Sequence, residues 1–268
     1  MFEACPKCSH APLPEKQEFP AACPACGLVL AKFKAVAARR DLEIAQQLAD
    51  DVPATATIAN GIAGRVADML FHVPPRVARL NWQGRIALLV LFSLWAIWIF
   101  KDYSIVEGHP GSRFLHIVLT PFHEAGHYAI FRWFGQFIMI LGGTLGQHLM
   151  PIVLGGALLF KRRDPFGAAL FFWLLGFSVM DMGIYMYDAF DPQLMLLDGR
   201  TGADSDGHDW QNIFGDLGLL KRAHAIGIFS SWLGGAMMLA GLAWAAWILW
   251  LQSTRLSDSL FAEDHDAQ

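Results

Sequence analysis

His123, Glu124 and His127 stand in an HExxH arrangement, His123-Glu124-Ala125-Gly126-His127. In an α-helix, residues four apart share a face, so both imidazoles can bind one metal ion. Glu124 then lies beside that ion, placed to take a proton from a water whose pKa zinc lowers toward neutrality. The flanking residues are apolar, and a carboxylate inside a hydrophobic span is costly unless it is paired or functional. Two histidines leave a zinc site incomplete, because catalytic sites take three protein ligands and keep one position open.

The third ligand is sought downstream. Asp209 is the leading candidate, in Gly207-His208-Asp209-Trp210 ahead of a short helix expected at 210–220; Asp181, Asp198, His208 and Asp188 are the alternatives. Asp181 lies in mid-span. If its helix runs in the direction of the HExxH helix, Asp181 and His127 sit at similar depth. Asp188 lies at the end of the same span beside Tyr185 and Tyr187, and Asp198 sits in Leu196-Leu197-Asp198-Gly199. The competing structural explanation is a polar helix–helix contact in which the histidines only bond across a bundle. His116, His148 and His224 also raise the possibility of haem ligation between helices. HExxH puts its histidines on one side of one helix, however, whereas a bis-histidine haem needs ligands on opposite ring faces.

A second constellation is sulfur. All four cysteines fall in the first 26 residues, as Cys5-Pro6-Lys7-Cys8 and Cys23-Pro24-Ala25-Cys26, with 14 residues between the pairs. Paired CxxC knuckles at this spacing fit one tetrahedral zinc held by four thiolates. Disulfides within each pair would close almost no loop. Thiolates must stay reduced to bind zinc, which places this end of the chain in the cytosol.

The elements that must position these groups are greasy. Of 268 residues, 54% are hydrophobic and only 16% are charged, whereas soluble domains hold about a quarter charged. The net charge of −4 gives no reason to expect a nucleic-acid partner. The polar, cysteine-bearing start does not read as a cleaved secretory signal. Apolar runs at 84–102, 114–134, 137–160, 166–187 and 224–251 are each near the length that crosses a bilayer, about 20 residues. The expected fold class is mainly α: a polytopic helical membrane protein of about five spans with a small N-terminal zinc ribbon.

The expected domains are a ribbon at 1–33, a linker and juxtamembrane segment at 34–83, the transmembrane domain at 84–251 and a polar tail at 252–268. Within the second of these, 34–50 has helix-forming composition and 51–64 reads as linker. Arg65, Arg76, Arg79 and Arg85 suit an anionic cytoplasmic leaflet and put the N-terminus inside. Simple alternation of five spans then strands Lys161-Arg162-Arg163 on the outside. A re-entrant hairpin at 137–150, with Gly142, Gly143 and Gly146, is one way out.

HEAGH in a hydrophobic span, a Gly-Gly segment and a downstream Asp motif resemble the site-2 protease class of intramembrane metalloproteases, over roughly residues 114–220. The resemblance implies zinc held by His123, His127 and a distant aspartate, with Glu124 as general base in peptide-bond hydrolysis. In letters, Leu-Asp-Gly at Asp198 matches the family's usual context, and an Asp just before a helix suits Asp209. The chain lacks the common Asn-Pro-x-Pro lead into that motif and any PDZ-like insertion. The substrate implied is a membrane protein or peptide, for which Gly142 and Gly143 are the candidate strand-binding backbone. The CPKC…CPACG…AKF stretch is similar to small bacterial zinc ribbons fused to membrane proteins. That implies the bacterial inner membrane and a ribbon that docks a cytosolic partner. The rival class is a non-catalytic metal-binding membrane protein: a transporter, a sensor or a scaffold.

Overall fold

The structure, a computed structural model, describes residues 2–14, 17, 19–32, 61–196, 199–204 and 207–257. The stretch at 34–50, most of the linker at 51–64, Asp198 and the tail beyond 257 lie outside the described residues. Contacts divide the chain into two compact units, Met1–Arg65 and Val66–Gln268.

The first unit is built on two matching knuckles. In one, Ser9 N–H bonds Cys5 C=O and Cys5 N–H bonds His10 C=O; in the other, Gly27 bonds Cys23 and Cys23 bonds Leu28 in the same pattern. Each knuckle closes on a left-handed residue, Ser9 at φ 59° and Gly27 at φ 68°. A bridge between Ala22 and Val29 braces the second.

The second unit is helical. The chain enters it along α1 (Ile62–Leu70) and continues with β1 (Val77–Ala78), α2 (Arg79–Asp102) and a hairpin of β2 (Tyr103–Ser104) with β3 (His109–Pro110). Next come α3 (Arg113–Ala125), a π turn at Gly126–Ile130, α4 (Gln136–Lys161), α5 (Pro165–Asp188), α6 (Asp209–Asp216), α7 (Ala223–Ser253) and β4 (Leu256–Ser257). Among the described residues four helices are long and apolar enough to cross a membrane: α2, α4, α5 and the segment Leu220–Ser253.

The expected span at 114–134 is different. In its place stand a thirteen-residue α-helix, Arg113–Ala125, and five residues of π turn, short of the roughly 20 that a bilayer core needs. The expected re-entrant hairpin at 137–150 is likewise not formed, since α4 runs unbroken from Gln136 to Lys161. The charge conflict disappears with the shorter count. Arg85 pairs with Asp164 at 3.1 Å and Arg163 with Asp68, so the 161–163 turn shares one end of the unit with the juxtamembrane arginines.

In lipid, apolar side chains gain nothing by leaving solvent for a neighbouring helix, so close backbone approach drives association. The α5–α7 pair shows how. Gly183 faces Gly227, Gly176 faces Gly234, and Ala169 faces Gly241, in antiparallel order with small residues seven apart on each helix. That repeat keeps the small residues on one stripe and the helices nearly aligned. Trp173, Phe177, Met180 and Met238 then pack with Ala96 and Ile99 of α2 and with Leu115 and Leu119 of α3.

At the end of the unit that carries the arginines, β1 and β4 pair in parallel, Val77 with Leu256 and Ala78 with Ser257. Arg255 also donates to Val73 C=O, and Trp244 Nε1–H to Leu70 C=O.

Candidate metal centres

Two His/Cys/Asp/Glu groups among the described residues bring single ligand atoms within 4.8 Å of one another: Cys5, Cys8, Cys23 and Cys26, and His123, His127 and Asp209. The cysteines are free thiols. Sγ of Cys5 lies 3.7 Å from Sγ of Cys26, as does Sγ of Cys8 from that of Cys23. Four sulfurs at 2.3 Å around a tetrahedral zinc would stand about 3.8 Å apart, so the cluster fits. Removal from water raises the Cys5 thiol, but backbone N–H groups of Lys7 and Cys8 outweigh this and hold it down at about 6. Cys8 goes the other way. A backbone hydrogen bond from His10 lowers it, but the Cys26, Cys5 and Cys23 sulfurs and removal from water outweigh this and push it up to about 12. Metal binding must therefore still release thiol protons.

The second group is a triangle of donor atoms. Nε2 of His123 is 3.0 Å from Oδ2 of Asp209, Nε2 of His127 is 3.1 Å from the same oxygen, and the two Nε2 atoms are 3.1 Å apart. Donors about 2.0–2.1 Å from a tetrahedral zinc would be about 3.3–3.4 Å apart, within a few tenths of these separations. His127 uses its other nitrogen too. Nδ1–H donates to Met139 C=O at 2.8 Å, which fixes the tautomer and leaves the Nε2 lone pair facing the triangle.

The motif straddles a change of helix type. Phe131 N–H bonds Gly126 C=O, five residues back, so His123 lies on α-helix and His127 in the π turn. Single π turns of this kind recur at functional sites. The turn is packed directly against α4: a Cβ on Gly126 would strike Gly142 C=O, and one on Gly146 would lie 2.5 Å from Phe122 C=O. A Cβ on Gly143 would overlap Nε2 of both His123 and His127. Gly142 and Gly143 therefore do not offer a substrate-binding strand edge. Their backbone groups are engaged within α4, and what they supply is room for the two imidazoles.

Asp209 is delivered by α6. Trp210, Ile213 and Phe214 bury that helix's apolar face against Phe137, Ile140 and Leu141 of α4 and Met182 of α5. Trp210 Nε1–H also points at Met182 Sδ, 2.9 Å away. The Asp209 backbone N–H donates to the Tyr185 hydroxyl at 3.1 Å.

His208 is fully buried and caps α6. Its Nδ1 accepts from Gln211 N–H at 3.1 Å, so the ring proton sits on Nε2, which donates to Asp188 at 3.2 Å. Asp188 in turn accepts from the N–H groups of Gln193 and Leu194. His208 and Asp188, alternatives for the third ligand, thus aim α6 rather than completing the triangle. Replacing His208 with Ala should weaken metal binding at the triangle by about 10–100-fold, the usual cost of losing a group that orients a ligand. His208→Asn keeps a capping oxygen and should recover most of that loss; zinc titration of the two proteins separates the cases.

Asp181 is elsewhere. It accepts from Nδ1 of His116 at 3.0 Å and from Gln147 Nε2 at 3.4 Å, while His148 Nδ1 lies 2.8 Å from Ser178 Oγ beside it. His116 precedes His123 by seven residues, about 10 Å along a helix. Asp181 therefore does not share the depth of His127, because α3 starts beside the far end of α2 and not at the opposite end of the bundle. His224 stacks on Tyr187 at 4.2 Å between ring centroids. Sequence reasoning passed over Tyr185 as an aspartate anchor and Gly126 and Gly146 as packing residues. Gly142-x-x-x-Gly146 carried the signal for the latter, being the small-residue spacing of close helix pairs.

The fold and its sites define a mainly helical protein with four helices long and apolar enough to cross a membrane and, among the described residues, two groups of side chains that could each hold a metal ion. No known family, no curated protein and no solved structure matches the chain.

Proposed function

We propose that the protein is a zinc-dependent endopeptidase that hydrolyses peptide bonds of membrane proteins. The observation that carries this reading is the triangle of His123, His127 and Asp209, three donors mutually 3.0–3.1 Å apart with Glu124 adjacent in the motif. His123, His127 and Asp209 would hold the zinc, which when bound would lower the pKa of a water and polarise a substrate carbonyl. Glu124 takes a proton from the attacking water as its oxygen bonds the carbonyl carbon. It returns that proton to the departing amine nitrogen as the C–N bond breaks. Tyr185 and His208 hold Asp209 in place, and Met139 C=O holds His127. The cysteine cluster has no open position once four thiolates surround zinc, so its zinc is structural. The setting is the inner membrane of a bacterium.

The test compares Glu124→Gln with the parent in proteoliposomes carrying a candidate transmembrane substrate. Both proteins should hold two zinc ions per chain, while hydrolysis by the variant falls about 10²–10⁴-fold. Equal cleavage by both removes Glu124 from the chemistry. A parent whose only zinc disappears with Cys5→Ser and Cys8→Ser has no metal in the triangle, and the proposal falls. Two zinc ions with no cleavage would make the triangle a structural or transport site.

A further inference from the structure

The depth of the ligand triangle follows from side-chain pairings along the bundle. Arg85 with Asp164, Phe92 with Trp173 and Tyr103 with Met180 show α2 and α5 rising together from the arginine-bearing end. The Tyr103 hydroxyl also bonds Ser231 at 2.6 Å, which puts Ser231 and its neighbour Trp232 level with Met180. Trp232 is exposed, as are Trp98 on α2 and, at the other end of α7, Trp250. Tryptophans of this kind gather at the two membrane–water boundaries. Trp232 and Trp250 are eighteen residues apart, about 27 Å, close to the roughly 30 Å of a hydrocarbon core.

The His123 ring faces Tyr185, with centroids 6.4 Å apart. Tyr185 is five residues beyond Met180, so the triangle stands about 7–8 Å outside the Trp232 level. The segment just after His127 agrees. Tyr128, Trp133 and Phe134 are exposed there, and Arg132 stacks over Trp133 at 4.5 Å. Exposed aromatics of the boundary type thus also flank the site on the segment that follows it. The triangle is therefore at the far edge of the membrane, not in mid-span.

The sides follow from charge. The near end carries Arg76, Arg79, Arg85, Lys161, Arg162, Arg163 and Arg255 against Asp68 and Asp164. Its turn between α4 and α5 is short, Arg162-Arg163-Asp164 following Lys161, and a short loop with three adjacent basic residues is the kind that stays in the cytosol. The far connections also carry basic residues, Lys101, Arg113, Arg132, Arg200, Lys221 and Arg222. These are spread along three segments and interspersed with Asp102, Glu107, Asp188, Asp191, Asp204, Asp209 and Asp216, with no basic cluster as dense as that at 161–163.

We infer that the metal centre lies at the extracytoplasmic boundary of the membrane and takes, as its substrate class, extended peptide segments emerging there. The substrate clause rests on the peptidase reading above; the placement does not. Ala203→Cys, on the far connection, and Arg162→Cys, on the basic turn, are each treated in intact cells with a membrane-impermeant maleimide, beside the parent as background. Labelling of Ala203→Cys before permeabilisation, and of Arg162→Cys only after it, is the expected result. The reverse pattern overturns the inference. Two substrates then carry the same helix-breaking cleavage segment at either boundary of one span. Cleavage only at the extracytoplasmic boundary supports the substrate class, and cleavage only at the cytoplasmic one overturns it. With the expected labelling and neither substrate cut, the placement stands, while the peptidase reading and its substrate class fall.

Discussion

Gly143→Ala should strip the metal from the histidine–aspartate triangle and leave the cysteine cluster loaded, so zinc falls from two ions per chain to one. The added methyl would occupy the space of both Nε2 atoms, which are the ligand atoms themselves. The fold can survive, because the groups struck are side-chain ends that can swing outward. The ligand set cannot, since an imidazole turned off its position no longer offers its lone pair and Nδ1 of His127 loses Met139 C=O. Metal content by mass spectrometry, with thermal unfolding measured alongside, checks both halves. A Gly143→Ala protein that keeps two zinc ions would show that the histidines meet the metal from another direction.

The second large effect is on assembly. Gly234→Leu should abolish recovery of folded protein, whereas Gly235→Leu, one residue on, should be tolerated. A Cβ at Gly234 would meet Met180 N and Gly176 C=O, both backbone atoms of α5 that cannot move aside alone. At Gly235 the nearest atom is Cε1 of Phe100 at 3.4 Å, an ordinary contact with a ring that can turn. Overpacking a fitted contact typically costs about 1–3 kcal/mol, and a leucine against backbone on both sides should exceed about 3. Yield of monodisperse protein in detergent and its thermal midpoint give the comparison. Equal behaviour of the two variants would mean that α5 and α7 are not held by the glycine seam.

Most of the helical fold was legible because lipid-facing helices write themselves as long apolar runs. The π turn was not. Its residues, Gly126 to Ile130, are as apolar as their neighbours, and nothing in composition separates an i+5 bond from an i+4 bond. The pair His123 and His127 was legible from periodicity alone, whereas Asp209 was one of several downstream candidates and its place before a helix counted only through the family resemblance. His208 misled because histidine is an uncommon cap and a common ligand, so the type suggested chemistry where the position supplied geometry. Asp181 misled for a different reason. Depth was counted from the start of each hydrophobic run, while the β2–β3 hairpin resets where α3 begins. The CxxC pairs needed no tertiary information, since each knuckle closes within six residues.

The two-residue clasp between β1 and β4 has a consequence for how the membrane unit is strung. Its first and last spanning helices leave the bilayer at one end and are bonded side by side there, Val77 to Leu256 and Ala78 to Ser257. The bundle is thus nearly a closed ring, and the order of its helices along the chain is one of several that the same packing would accept. A chain opened at the 162–164 turn, with a linker carrying β4 back to the start of β1, would keep the glycine seam and the ligand triangle while disturbing the Asp68–Arg163 and Arg85–Asp164 pairs at that end.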